Sequence, residues 1–247
     1  HNETSTGVTS NIAAVRQAMD DANHPALLMV DVVSSLASID YRHDEWGVDV
    51  TIGGSQKGLM MPPGLSFNAI GAKALAAAET ATMTRSYWDW APMLAANEGG
   101  GFPYTPATNL LYGLEEAVTM LEEEGLQNVF RRHARLAEAT RRAVAAWGLE
   151  TVARDDGEKS NSVTAVMLPG GYDADAFRAT VLDRFNMSLG NGLGRLAGRV
   201  FRIGHLGDFN ELMLAGTLSG VEMGLAAAHV PHDKGGVQAA LDFLSSE

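Results

Sequence analysis

Among the residues able to form a covalent bond to a small molecule, one lysine has an unusual setting. Only four lysines occur in the 247 residues (Lys57, Lys73, Lys159 and Lys234), and Lys57 alone sits in a small-residue run, Gly53-Gly54-Ser55-Gln56-Lys57-Gly58. A lysine amine forms a Schiff base with an aldehyde when a useful fraction is deprotonated, which apolar or cationic surroundings favour. Small neighbours let a flat ring approach. Asp31 closes the short apolar run at residues 26–30, and a carboxylate there can pair with a protonated pyridine nitrogen and turn such a ring into an electron sink. Taken singly, each feature also fits an ordinary turn or cap.

The elements that must position these two residues are legible in outline. Ser10 or Asn11 can cap a helix with Ile12, Val15 and Met19 on one face, stopped by Asn23 and Pro25. Residues 26–30 are unbroken and apolar, as in a parallel strand covered on both faces. Further strands are predicted at 48–52, running into the lysine turn, and at 65–70. In open α/β sheets ligands bind at the carboxyl ends of strands, so Asp31 and Lys57 are expected to face one pocket. An amphipathic helix over 107–124 carries Leu110, Leu114, Val118 and Leu121. Gly125 separates it from a second helix with Val129, Leu136, Val144 and Trp147. Strands at 163–168 and 200–203, a helix from Asp173 through Phe185 and another over 211–228 follow, so the fold class is α/β. Two domains are predicted, 1–124 and a smaller α/β domain over 125–247. Gly99-Gly100-Gly101 marks a flexible spot before Phe102.

Composition narrows the function. With 46% hydrophobic residues the chain can bury a large core. It has no cysteine, which removes disulfides, thiolate metal sites and cysteine nucleophiles. A net charge of −12 without a compensating basic cluster argues against nucleic acid. The absence of an apolar run of about 18 residues and of a signal-like start argues for a soluble, cytoplasmic protein with no membrane partner. Because the first turn signal follows His1 almost at once, an N-terminal portion is expected to precede it.

The order and spacing of several motifs carry a resemblance. His1-Asn2-Glu3-Thr4-Ser5-Thr6-Gly7, then Met29-Val30-Asp31 with Ser34-Ser35, then Gly54-Ser55-Gln56-Lys57 resemble serial motifs of the class V aminotransferases. Phe102-Pro103-Tyr104-Thr105-Pro106 and Arg199-Val200-Phe201-Arg202-Ile203-Gly204-His205-Leu206-Gly207 are similar to the serine-glyoxylate and alanine-glyoxylate branch. The resemblance implies a pyridoxal 5'-phosphate enzyme of fold type I: a large domain with a mostly parallel seven-stranded sheet, held here in part, a small C-terminal α/β domain, and a homodimer with shared active sites. The family's upstream glycine-containing phosphate-binding turn has no counterpart in these residues.

Carried over by that resemblance, Lys57 holds the cofactor and moves the proton at the substrate α-carbon, and Asp31 holds the pyridinium nitrogen. Val33 packs on the ring face, Thr4 binds near the ring hydroxyl, Gln56 helps with the phosphate, and Thr105 reaches the phosphate of the neighbouring subunit. Arg202 binds the substrate carboxylate, where a guanidinium fork gives two parallel charge-assisted hydrogen bonds. Phe102 lacks a hydroxyl that some relatives supply there, leaving Tyr104 as the candidate donor, and Val32 replaces a smaller residue. The implied reaction moves an amino group from a small amino acid, serine first, to glyoxylate. Alternatives are alanine or aspartate as donor, a kynureninase-like reaction, and a non-catalytic dimerisation fragment. Desulfuration needs a cysteine, which this chain lacks.

Plainer readings stand beside the sharper ones. His205 near a turn is read as structural. His1 and Glu3 are too few ligands for a metal, and none is predicted. Trp88 and Trp90 fit a substrate channel or, equally, interface or core packing. Glu122-Glu123-Glu124 reads as a solvated helix end.

Overall fold

In the computed structural model, which describes residues 1–246, the chain opens on a hairpin of two short strands, β1 (Asn2–Glu3) and β2 (Val8–Thr9). Gly7 turns it with φ at 69°, and a Cβ there would stand 2.9 Å from the Val163 carbonyl oxygen. Asn11 then accepts from the Ala14 N–H and starts α1 (Ile12–Asp21). Along the predicted stripe Ile12 is buried, Met19 half-buried and Val15 exposed.

The strands β3 (Met29–Asp31) and β4 (Val50–Gly54) run parallel, with Asp31 opposite Ile52. On the other edge of β4 lies β5 (Ser66–Ile70), antiparallel to it. One of this sheet's two pairings is thus parallel, a more mixed pattern than the resemblance implied. Both parallel strands begin later than hydropathy predicts. The Asp49 carboxylate accepts the Leu28 N–H at 2.7 Å, and the Leu28 carbonyl accepts from Asp49 and Val50. A side chain therefore occupies the rung where the ladder would start. Val30, Val32 and Val48 pack with Ile12 and Leu28 beneath the sheet.

Four helices follow: α2 (Ala72–Glu79), α3 (Trp90–Glu98), α4 (Thr108–Glu124) and α5 (Leu126–Ala146). Gly125, with φ at 80°, makes the break between the last two. On α5, Val129, His133, Leu136, Thr140, Ala143 and Val144 recur three or four residues apart and are buried, the stripe of a helix that faces a core. Val129 packs with Leu121, Ala37 and Leu59, whereas Leu136 to Trp147 belong to the C-terminal core.

That core lies on a four-stranded antiparallel sheet, β6 (Glu150–Thr151), β7 (Val163–Met167), β9 (Val200–Gly204) and β8 (Gly190–Asn191) in spatial order. It is covered by α5 and by α6 (Ala174–Phe185), α7 (Glu211–Ala227) and α8 (Gly236–Leu244). Asp173 and Asn210 cap α6 and α7. Phe177 lies against Phe201 with ring centroids 4.7 Å apart, and the Trp147 indole donates to the Glu222 carboxylate at 2.7 Å. No described helix is long and apolar enough to cross a membrane.

Candidate active site

Parallel pairing puts the carboxyl ends of β3 and β4 on the same edge of the sheet. Asp31 is the last residue of β3. β4 runs on from Ile52, opposite Asp31, to Gly54, and the turn that follows carries Gln56 and Lys57. Asp31 is exposed, and its Oδ1 accepts the Val33 N–H at 2.8 Å, which folds the chain back after the strand. Val33 reaches Gly54, where a Cβ would stand 3.4 Å from Val33 Cγ1 and 2.8 Å from Gln56 Oε1. Val33, Gly54 and Gln56 thus adjoin beside the strand ends.

The lysine turn is fixed from below. Buried Ser55 donates to the Pro62 carbonyl at 2.8 Å and accepts from the Leu65 N–H at 3.2 Å. A Cβ on Gly58 would collide with the Leu36 carbonyl oxygen and lie 2.6 Å from Ser38 Oγ. Only glycine lets this turn sit against residues 36–38. Lys57 is partly buried, and among the described residues its amine has no hydrogen-bond or ion-pair partner.

From the C-terminal side, the turn at Gly207 (φ 85°) touches the same loop, since a Cβ there would meet Met60 Cγ at 3.5 Å and the Lys57 carbonyl at 3.6 Å. Its N–H donates to Nε2 of His133 at 3.0 Å, while His133 Nδ1 lies 2.7 Å from the Val129 carbonyl. His133 is therefore a neutral imidazole that donates from Nδ1 and accepts at Nε2. Burial lowers its pKa. Arg132 holds the same turn through the carbonyls of Gly207 and Phe209 and is anchored on Glu124 by two 2.8 Å bonds.

The N-terminal hairpin supplies Thr4. Its hydroxyl donates to Ser34 Oγ at 2.9 Å, three residues beyond Asp31, and its carbonyl accepts from Arg202 Nη1 at 3.0 Å. Arg202 Nε donates to the Asn191 carbonyl at 2.7 Å. Burial, with the nearby Arg178, lowers the Arg202 pKa. Thr4 and Arg202, predicted separately, are thus in contact. Gln56 lies beside Gly54, whereas Thr105 is exposed on the segment between α3 and α4 and hydrogen-bonds to none of the others.

His205 is fully buried between Thr164 Oγ1 and the Asn161 carbonyl, and burial pushes its pKa down to about 3, a structural histidine as predicted. Among the described residues no group of three or more histidines, aspartates or glutamates is placed to hold a metal ion. Sequence reasoning assigned no role to Asn2, Ser34, Gly58 or His133. The glycine directly after Lys57 was the one local signal available. The others are read only through partners distant in sequence.

A lysine and an aspartate thus lie at neighbouring parallel strand ends of an α/β fold, and an arginine from a second sheet reaches the hairpin beside them. The sequence model of the class-V aminotransferases matches residues 1–194, and the chain belongs to that family. It is 53% identical over 99% of its length to the serine–glyoxylate aminotransferase of Methylorubrum extorquens, covering 62% of that protein. It is 47% identical over 97% of its length to the L-aspartate–glyoxylate aminotransferase of Paracoccus denitrificans, covering 61% of it. The crystal structure of ureidoglycine-glyoxylate aminotransferase from Bacillus subtilis superposes with a TM-score of 0.87 at 32% identity, over 100% of this chain and 64% of that one. The chain therefore spans rather less than two thirds of the relatives it matches.

Proposed function

We propose that the protein is a pyridoxal 5'-phosphate-dependent aminotransferase that moves the amino group of serine to glyoxylate, giving glycine and a 2-oxo acid. The observation that carries the reading is the placement of Asp31 and Lys57 on adjacent parallel strand ends, in a chain 53% identical to a serine–glyoxylate aminotransferase. The donor set suits the cofactor: an amine with no competing partner, a carboxylate with one oxygen uncommitted, an apolar Val33 beside a glycine, and a threonine hydroxyl. Pyridoxal phosphate, when bound, supplies a sink for the electrons left at the substrate α-carbon.

The chain's own residues do the rest. Lys57 Nζ would hold the cofactor through its aldehyde and, when free, would move the proton at the substrate α-carbon. Asp31 would hold the ring nitrogen in its protonated form, and Val33 would pack on the ring face. Thr4 would bind near the ring hydroxyl, and Gln56 would help with the phosphate. Arg202 orients the carboxylate that serine and glyoxylate share, with the guanidinium N–H groups its two backbone contacts leave over.

Thr105 is assigned to the phosphate of a second subunit. Exposed apolar side chains on the same stretch of chain support a homodimer with shared sites: Trp88 is 81% exposed, Phe102 50% and Tyr112 73%. Residues 1–124 are assigned to the cofactor-binding domain and 125–247 to the small domain. The packing of α5 from Leu136 onward in the C-terminal core supports giving most of that helix to the small domain. The net charge of −12 weighs against a nucleic-acid partner, and the protein is assigned to the cytoplasm.

The test is the visible absorbance of the purified full-length protein with pyridoxal phosphate, before and after serine and then glyoxylate are added. A band that shifts with serine, returns with glyoxylate and is missing in Lys57→Ala is expected. Aspartate shifting the band in place of serine would move the donor to that of the Paracoccus relative. Absence of any band would sink the cofactor assignment.

A further inference from the structure

Arg202 lies in a lane of small residues. On β9 its cross-strand partners are Ala165 of β7 and Gly190 of β8. Residues directly opposed in an antiparallel pair usually keep their Cβ atoms about 4.5–5.5 Å apart. A Cβ built on Gly190 would stand 3.0 Å from Arg202 Cβ and 3.2 Å from its Nε. The arginine therefore crosses β8 through the space that a side chain at 190 would fill. It has little freedom to move aside, because the Asn191 carbonyl holds Nε at 2.7 Å and the Thr4 carbonyl holds Nη1 at 3.0 Å. The approach to β8 is fixed in turn by α6, where Arg178 donates from Nε to the Leu189 carbonyl at 2.8 Å and from Nη1 to Asp175 at 2.9 Å.

We infer that Gly190 and Arg178 are positioning residues for Arg202: the absent side chain at 190 and the anchored carbonyl at 189 set where the guanidinium presents its remaining N–H groups. The inference rests on the proposed reading in which those groups bind the substrate carboxylate. The two backbone contacts spend the Nε hydrogen and one on Nη1, so the Nη1–Nη2 edge is the one left for a bidentate grip. A methyl at 190 forces the arginine to give by a few tenths of an ångström. Such a grip is sensitive to that shift, since both bonds must be met at once. Neither Gly190→Ala nor Arg178→Lys changes a charge, so any loss of affinity for an acid reports geometry rather than field.

The experiment uses the full-length protein loaded with pyridoxal phosphate and compares serine with serinamide, which keeps the amine and hydroxymethyl group but has no carboxylate. The readout is the concentration of each that half-shifts the visible band. In Gly190→Ala the serine concentration is expected to rise about tenfold, with that for serinamide unmoved. In an Arg202→Met background, Gly190→Ala is expected to add nothing to the serine value. An unmoved serine value in Gly190→Ala, an equal rise for serinamide, or the same rise in the Arg202→Met background overturns the inference, since a merely structural role for Gly190 would not discriminate between the two compounds. If Gly190→Ala does not fold, Arg178→Lys takes its place: a rise of about threefold for serine alone supports the inference, and an unmoved value overturns it. Failure of the underlying reading looks different. A protein that forms no band sinks the cofactor assignment, and Arg202→Met leaving the serine value where it was removes Arg202 from the carboxylate; either result takes this inference with it.

Discussion

At the scale of single residues, Arg202 combines a structural task with its proposed role. Its Nε and Nη1 tie β8 to the hairpin that carries Thr4, two contacts a lysine ammonium cannot reproduce with the same planar fork. Arg202→Lys is expected to lower stability by about 1–2 kcal/mol and to raise KM for both serine and glyoxylate by roughly tenfold. Denaturation and steady-state kinetics check the two halves separately, and unchanged KM values would remove Arg202 from the substrate site. Lys57 and Asp31 were legible in the sequence because their signals are local: a small-residue run around one lysine and an acid ending an apolar stretch. The Arg202–Thr4 contact joins residues 198 apart in sequence. No local pattern encodes it, and only the resemblance put both residues in one site.

At the scale of elements, caps and periodicity located α1, α4, α5 and α6 to within a residue or two, because Asn11, Gly125 and Asp173 act on their own neighbours, and α7 lies within a residue of its predicted span. The helices α2 and α3 escaped notice for a physical reason. One is largely alanine, and the other buries no residue fully, so neither shows an apolar stripe. Strand starts were displaced because the Asp49 side chain, 21 residues away, takes the Leu28 N–H. The turn after β4 yields a sharper expectation. In Gly58→Ala the new methyl meets the Leu36 carbonyl, a backbone atom with little room to give. The substitution is expected to cost about 2–3 kcal/mol and to weaken the cofactor band by displacing Lys57. Urea unfolding and absorbance measure both, and a variant with unaltered stability would mean the turn is looser than its packing indicates.

At the scale of the whole molecule, two buried imidazoles, His133 and His205, hold elements of the C-terminal half to one another. Burial depresses both pKa values, that of His205 to about 3. The unfolded chain binds those protons near pH 6.5 while the folded chain does not, so stability is complete above about pH 6.5 and declines as pH falls toward 3. For His205 the slope reaches about 1.4 kcal/mol per pH unit in that window. Urea midpoints at pH 7.5 and 5.5 are expected to differ more in the unsubstituted protein than in His205→Gln, and equal differences would contradict this account. The clasp between Thr4 and Arg202 also has a consequence in time. The hairpin finds its partners in a strand made about 200 residues later, and at roughly 5–20 residues per second a ribosome takes about 10–40 s to deliver it. Until then Thr4 waits on the nascent chain without its final anchor, and this corner of the pocket closes only after the C-terminal sheet has been synthesised.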